Sequence, residues 1–351
     1  MNEPMPFKRK LQPLPDLPYG GNLFMRLVTA KAIASLHHRL PEAVAEERWP
    51  NDLVLRAASA PAMTTVTGWA KELIRLIVVE ALASLGPASA GAQLLERGLV
   101  LVLDGAGSIS APGFVAGAGN ASFVAENNPI PVRQLVSSPC LMTAFKLATI
   151  AVLTEEMIAS SNAEQLVSDT LVRSCGAALD TVLFDANPAT AARPAGLRNG
   201  IVASTPSSST DPFGAVFEDV ATLVNAVSGV GGAGPYALVC SPGRALMVRA
   251  RFNENIDSPS TLPVFGTNAM GNDIMAVAPA ALVAALSPAP EVETGNAGTL
   301  HMDTAPAADP GSVGPHRSLF QTASTAIKVR WPVTWALRNP GGVAWLTPTW
   351  K

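Results

Sequence analysis

Charge is scarce in this chain. Asp, Glu, Lys and Arg together make up 15% of its 351 residues, against about 25% in an average soluble protein. A chain that shows so little charge to water is expected to cover part of its surface with partners. Lysine is scarcer still: 7 Lys stand beside 17 Arg, which sum to the 24 cations, and only Lys146 lies between Lys71 and Lys328. Arg suits fixed, bidentate contacts between subunits. GC-rich codon usage is the plainer reading of the same bias, given so much Ala, Gly and Pro. The densest basic run is Lys8-Arg9-Lys10 and the net charge is −3. A dedicated nucleic-acid groove is therefore not expected, because phosphate binding grows with the number of clustered cations.

Cysteine, histidine and long apolar runs are equally sparse. Cys140, Cys175 and Cys240 match no metal or redox spacing. Cys175 falls on a predicted helix face as a small apolar side chain. The odd count and an N-terminus without an apolar stretch point to a reducing cytoplasm. No segment reaches about 18 consecutive apolar residues, so no membrane span is expected. The longest candidate, Leu73 to Leu85, is broken by Arg75 and Glu80.

Catalytic patterns are missing too. Gly105-Ala-Gly107 lacks the third Gly and the following helix of a dinucleotide loop, and neither a phosphate-binding loop nor a Gly-x-Ser-x-Gly elbow occurs. His37 and His38 are adjacent on a predicted helix, about 100° apart, and cannot easily share a metal. His301 and His316 fall in a loop near Asp303 and Asp309; they read as solvated loop residues, with a metal site or a pH-sensitive contact as the alternative. Glu155-Glu156 reads as acidic side chains favouring a helix dipole. Without a convergent set the chain is not expected to be an enzyme, and no cofactor or metal is expected.

What is present is organisation. Residues 1–22 hold five Pro and read as an extended arm. Leu23 to Ala60 is helical by spacing, with Pro41 starting a short helix. A further helix is expected from Trp69 to Leu85, capped by Thr67 and ended by Gly86-Pro87. Gly98 to Leu103 reads as a strand. Phe123-Val-Ala125 and Val132 to Ser138 read as hairpin arms around Asn127-Asn128-Pro129. Leu147 to Leu153 is another β-rich run. A long helix is expected from Thr154 to Asp185, with a kink or restart near Ser160; Ile158, Leu166, Val167, Leu171, Cys175, Leu179 and Val182 form its apolar stripe. Asn187 to Pro212 reads as a connector. Phe213 to Val227 reads as a helix with Phe213, Val216 or Phe217, Val220, and Leu223 or Val224 on one side. Tyr236 to Cys240 reads as a buried strand, and Ser241-Pro242 starts a helix. Val264 to Met270 and Ile274 to Val277 are short strand candidates, Leu282 to Leu286 is another short apolar run, and Val343 to Leu346 closes the chain. Glu291 to Gly314 reads as a loop, and Ile327, Val329 and Trp331 alternate along a half-buried strand. The mixed order makes the class α+β. Trp331, Trp335, Trp345 and Trp350 crowd the last twenty-one residues, where core or interface packing is expected.

Several collinear segments resemble the major capsid proteins of tailed bacteriophages, those of the Hong Kong 97 type. Ser318-Leu-Phe-Gln-Thr322 leading into Ile327-Lys-Val-Arg-Trp331 and on to Val343-Ala-Trp345 is similar to that family's C-terminal turn and strand. Trp69-Ala-Lys-Glu-Leu73 resembles the stretch before the shell domain. Phe123-Val-Ala-Glu126 and Pro129-Ile-Pro131 resemble its extended hairpin loop. Phe145-Lys-Leu-Ala148 to Thr154-Glu-Glu156 resembles the strand into its spine helix, and Ala178-Leu-Asp180 with Phe184-Asp185 that helix's end. The resemblance spans Thr64 to the C-terminus.

The resemblance implies an N-terminal arm and helical leader at 1–63 and a shell domain starting over 64–112. It implies an extended hairpin loop at 113–150, a peripheral domain with the spine helix at 151–210, an axial domain at 211–300 and peripheral C-terminal strands at 301–351. It implies a virion shell subunit, assembled in a bacterial cytoplasm into hexamers and pentamers. Scaffolding, portal and decoration proteins would be partners, no membrane would be involved, and packaged double-stranded DNA would be touched weakly. Phe114, Phe123, Glu126, Arg133, Arg173, Trp331 and Trp335 are the residues expected at subunit contacts. Arg173, Arg193 and Arg198 would face the interior or bridge subunits. Some relatives crosslink through a hairpin Lys, but residues 98–145 contain none. The alternatives are an encapsulin-like compartment shell and a cytoplasmic enzyme with a hidden site.

Overall fold

The computed structural model describes residues 39–50, 82–83, 85–103, 107–113, 139–154, 163–231, 234–252, 262–287, 291–302 and 315–350, with single positions in 26–34, 123–130 and at 156. The helices are α1 (Pro41–Arg48), α2 (Ala90–Glu96), α3 (Ala163–Leu183), α4 (Pro212–Gly231) and α5 (Pro242–Phe252). The strands are β1 (Leu99–Val102), β2 (Ser108–Pro112), β3 (Pro139–Thr143), β4 (Phe145–Thr154), β5 (Ala237–Cys240), β6 (Val264–Gly266) and β7 (Ile274–Val277). They continue with β8 (Leu282–Leu286), β9 (Glu291–Gly295), β10 (Thr299–His301), β11 (His316–Ser318), β12 (Ser324–Leu337) and β13 (Val343–Leu346). Helices and strands are thus mixed along the chain. The expected arm at 1–22, the Thr67 cap and the kink near Ser160 lie outside the described residues.

The chain divides into two compact units. One comprises Leu85–Leu147, Val172–Pro288 and Trp331–Lys351; the other comprises Met1–Ser84, Ala148–Leu171 and Ala289–Arg330.

The first unit is built on a sheet of order β13-β7-β5-β6. Every residue of β5 and β7 is buried. Two faces covered by protein explain why these strands read as continuous apolar runs and not as alternations. α4 covers the sheet with Val216, Val220, Leu223 and Val227, against Leu238, Cys240, Ile274, Ala276 and Leu346. Phe213 and Phe217, expected on that same side, are instead 61% and 46% exposed. Phe217 lies about 100° round the helix from Val216, off the stripe at 216, 220, 223 and 227, and Phe213 falls in the first turn of α4. Among the described residues α4 is the one helix long and apolar enough to cross a membrane, over Phe213–Gly231. Its inner face carries Asp219, which accepts hydrogen bonds from Ser207 N (2.6 Å) and Trp350 Nε1 (2.8 Å). α4 therefore serves as a core helix of this unit.

A second layer of the same unit joins β1 to β8 in parallel and β8 to the C-terminal half of β12 antiparallel. The end of α3 packs on the start of α2, where Gly91 lies against Leu183 and Asp180. Cys175, Leu179, Asp180 and Leu183 point inward while Arg173, Ser174, Ala177 and Ala178 face solvent. Buried Asp180 caps α2: its carboxylate accepts from Ser89 Oγ (2.5 Å), Ala90 N (3.1 Å) and Gly91 N (2.8 Å). Ser89 in turn accepts from Ala92 N at 2.9 Å. An anion and a hydroxyl thus satisfy the orphan donors of a seven-residue helix. Close packing needs Gly342, where a Cβ would run into the Ala281 methyl.

In the other unit, β9 pairs with residues 326–330 of β12. Its acidic side chains answer the cations opposite, in the ion pairs Glu291–Arg330 and Glu293–Lys328. β10 and β11 form a two-stranded ribbon. These strands correct the expectation of a loop from Glu291 to Gly314. Glu-Val-Glu-Thr-Gly offers one strongly apolar residue in five, so no apolar run announces it. α1 starts at Pro41 as expected.

Two other boundaries differ. Thr154 closes β4, so the expected helix begins after it; Glu156 is helical, 157–162 lie outside the described residues, and α3 is the stretch from Ala163 on. Its 21 residues span about 32 Å at 1.5 Å each. Val264 to Met270 breaks after Gly266 into a short 3-10 turn, Asn268–Met270.

Candidate assembly surface

The hairpin stem is β2–β3, not the expected arms. Its register runs from Ser108↔Thr143 to Pro112↔Pro139. Phe123, Val124 and Ala125 are not in a strand, and 132–138 lie outside the described residues. The stem alternates: Ala111 and Met142 are buried with Leu103, Val283 and Ala285, while Ser110 and Leu141 point out. Arg338 Nε donates to Pro112 O at 2.8 Å, and Cys140 Sγ reaches Leu337 O at 3.7 Å. The stem is therefore pinned to its own sheet.

Between the two stem strands lies an excursion, residues 113–138. Phe123, Val124, Ala125, Glu126, Asn128 and Ile130 are all exposed. Phe123 is fully exposed and Ile130 is 81% exposed. An exposed Phe and Ile so near each other are a liability for a lone subunit and an asset for one that finds a neighbour. Of the expected contact residues, Phe123, Glu126 and Arg173 are on the surface, and Phe114 and Arg133 lie outside the described residues.

Trp331 and Trp335 are a correction. They are 1% and 6% exposed, so their rings are spent inside the chain. All four C-terminal indoles donate internally: Trp331 to Ser287 O, Trp335 to Ala195 O and Trp345 to Ile201 O, each at 2.9 Å, and Trp350 to Asp219. Two of these acceptors belong to the long 187–211 connector, so the indoles clip that polar segment onto the unit. Buried Trp needs a partner for its N–H, and a backbone carbonyl has no sequence signature.

Arg193 and Arg198 are likewise internal. Arg193 pairs with Asp185 at 2.6 Å. Burial alone would raise the Asp185 carboxyl, but hydrogen bonds from Arg193 and Asn187 outweigh it and hold the group below its ordinary 3.8. Arg198 donates to Phe184 O at 2.7 Å, pairs with Asp273 and lies 5.0 Å over the Trp345 ring. Neither is free to bridge subunits, which corrects that expectation. Arg173 remains exposed on α3.

The outer faces of α4 and α5 were missed. Phe213, Phe217 and Leu246 (69%) are exposed there. Phe217 meets Phe252 edge-on at 4.7 Å, and Arg251 lies over the Phe213 ring. Phe213 and Phe217 beside the buried stripe of α4 were the available signal.

Chemistry is thin elsewhere. Among the described residues no group of three His, Cys, Asp or Glu could hold a metal. A cavity of about 490 Å³ beside Ser241, Arg244, Asn272 and Trp350 gathers no acid–base pair. Burial pushes the thiols of Cys175 and Cys240 up to about 11. His301 and His316 are not loop residues. They face each other across β10 and β11, with ring centroids 5.1 Å apart.

No protein-family profile and no curated protein matches the chain. Among solved structures, it is similar to one from Mycobacterium phage Cain at 17% identity and a TM-score of 0.49, over 74% of this chain and 90% of that one. A structure from Microbacterium phage Oxtober96 matches at 16% identity and 0.48, over 74% and 91%. A crystal structure of a virus-like particle from Pyrococcus furiosus matches at 12% identity and 0.45, over 78% and 98%.

Proposed function

We propose that this chain is the major shell subunit of a tailed-bacteriophage or prophage head. It assembles into hexamers and pentamers of an icosahedral shell around double-stranded DNA and acts as a structural protein, not an enzyme. The observation that carries the reading is the 113–138 excursion: a stem packed firmly on its own sheet presents Phe123 and Ile130 to solvent. The collinear motif resemblance supports the same reading. In it, 113–150 is the extended loop, 211–300 the axial domain, and 151–210 with 301–351 the peripheral domain. Phe123, Glu126 and Arg173 meet neighbouring subunits, with Phe114 and Arg133. Residues 1–63 are the arm and leader, and scaffolding, portal and decoration proteins are the further partners.

Contact with packaged DNA is weak in this reading. Net charge is −3, and Arg193 and Arg198 are committed to carboxylates of the chain. Tight phosphate binding would oppose filling and emptying the shell.

Electron microscopy of the purified chain, alone and with a scaffolding partner, tests the proposal. Closed shells or capsomers are expected. Deleting 114–137 is expected to leave a folded subunit that builds no shells. A compact monomer at every concentration, or normal shells after the deletion, sinks it. Shells that hold an enzyme and no DNA would favour the compartment alternative.

A further inference from the structure

Two of the four histidines meet at a place where no loop solvation holds them apart. β10 and β11 are antiparallel, with Thr299↔Ser318, Leu300↔Arg317 and His301↔His316 in register. Met302 N donates to Pro315 O and Leu319 N to Gly298 O, both at 2.9 Å. Those bonds mark 302/315 and 298/319 as hydrogen-bonded pairs. Alternation then makes His301/His316 a non-hydrogen-bonded pair, the type whose Cα atoms approach to about 4.5 Å and whose side chains stand closest. The rings do stand together, 5.1 Å between centroids and 57° between planes.

We propose that His301 and His316 form a two-imidazole site for a divalent late first-row transition-metal ion. The proposal is independent of the shell reading and adds to it. Imidazole nitrogens bind such ions at about 2.0–2.1 Å, so two nitrogens on one ion lie about 3 Å apart. The χ2 torsion of His is broad, and rings with centres 5.1 Å apart reach that spacing by turning without moving the backbone. His301 Nδ1 is shielded from solvent and has no hydrogen-bond partner, so one nitrogen of that ring is unspent. His316 is exposed, which gives an ion and its waters a way in. Strand alternation puts Leu300 and Arg317 on the opposite face and the hydroxyls of Thr299 and Ser318 on the same one. Arg317 therefore does not occupy the face that an ion would use. Among the described residues no third ligand of the His, Cys, Asp or Glu type joins the pair, so water completes the shell of the ion. Cu²⁺ binds such nitrogen sites most tightly, with Ni²⁺ and Zn²⁺ below it. A bound ion would staple β10 to β11.

The test is a titration of the metal-free, full-length chain with Cu²⁺ at about pH 7.5, where imidazole is free to ligate. It is read by calorimetry and by the nitrogen hyperfine pattern of the copper spectrum. One ion with two coordinated nitrogens is expected. His301→Asn and His316→Asn should each weaken binding by at least about tenfold and leave one nitrogen, while the His37→Asn/His38→Asn double variant binds as the parent does. Near-UV circular dichroism confirms that each variant is folded. If the His301→Asn/His316→Asn double variant does not fold, the copper spectrum of the parent decides alone. A spectrum without two nitrogens, or copper binding that survives the 301/316 double variant and disappears in the 37/38 one, overturns the proposal.

Discussion

β7 and the 123–130 segment belong to the same unit and meet water in opposite ways. Ile274, Met275, Ala276 and Val277 are all 0% exposed, while Phe123 is fully exposed and Ile130 81% exposed. Both stretches are apolar. The difference lies in what covers them: β7 has β5 and β13 at its edges and α4 on a face, whereas Phe123, Val124, Ala125, Glu126, Asn128 and Ile130 all stay exposed. Apolar residues that the chain itself buries hold the subunit together. Those it leaves bare are available to hold subunits to each other.

Breaking the covered side should cost most. Leu238→Ala, beneath α4, is expected to lower unfolding free energy by about 2–5 kcal/mol through lost burial and a residual cavity, read as a shift of the urea midpoint at constant slope. Asp180→Ala comes next. It strands the Ser89 hydroxyl and two first-turn amides of α2, with an expected loss of about 2–4 kcal/mol. A loss below about 0.5 kcal/mol, the scale of an ordinary surface change, would mean that the cap is dispensable.

An alkaline titration sharpens the comparison further. The Cys175 and Cys240 thiols sit at about 11, raised by burial from 9.0. A raised folded value means that their contribution is fully present below about pH 9 and is lost as pH climbs toward 11. Stability should fall over that window and fall less in Cys240→Ala, once its cavity cost at neutral pH is subtracted. In the native protein Cys140, half-buried at the stem, should react first with a thiol reagent; equal rates for all three would contradict the burial.

The smallest effect on folding is expected at the bare segment. Phe123→Asp should move unfolding free energy by no more than about 0.5 kcal/mol yet leave sedimentation profiles without shell-sized particles. If it unfolds the subunit, Phe123 belongs to the core after all, and the comparison fails.

The sequence was legible where one element is its own explanation. Apolar runs placed β1, β5 and β7, and Ser241-Pro242 placed the start of α5. It was illegible where pairing does the work. β9 is charged on alternate residues and becomes a strand because Lys328 and Arg330 lie opposite. The stem β2–β3 joins two weakly apolar pentapeptides across the 113–138 excursion. Of the candidate contact residues, Phe123, Glu126 and Arg173 are at the surface, while Trp331 and Trp335 went inside.

The sequence by itself determined the scarcity of charge, the apolar runs that became β1, β5 and β7, and the gathering of four Trp near the C-terminus. Those are local or compositional properties, and periodicity and propensity express them without a partner. Only the tertiary structure decided which Arg are spent on Asp185 and Asp273, which carbonyls the indoles clip, that Asp180 caps a helix some ninety residues earlier, and that His301 faces His316. Each of these joins groups far apart in the chain, or joins side chain to backbone. Such a bond forms because a buried donor or acceptor left unpaired is costly, and the fold, not the local sequence, determines which partner is within reach.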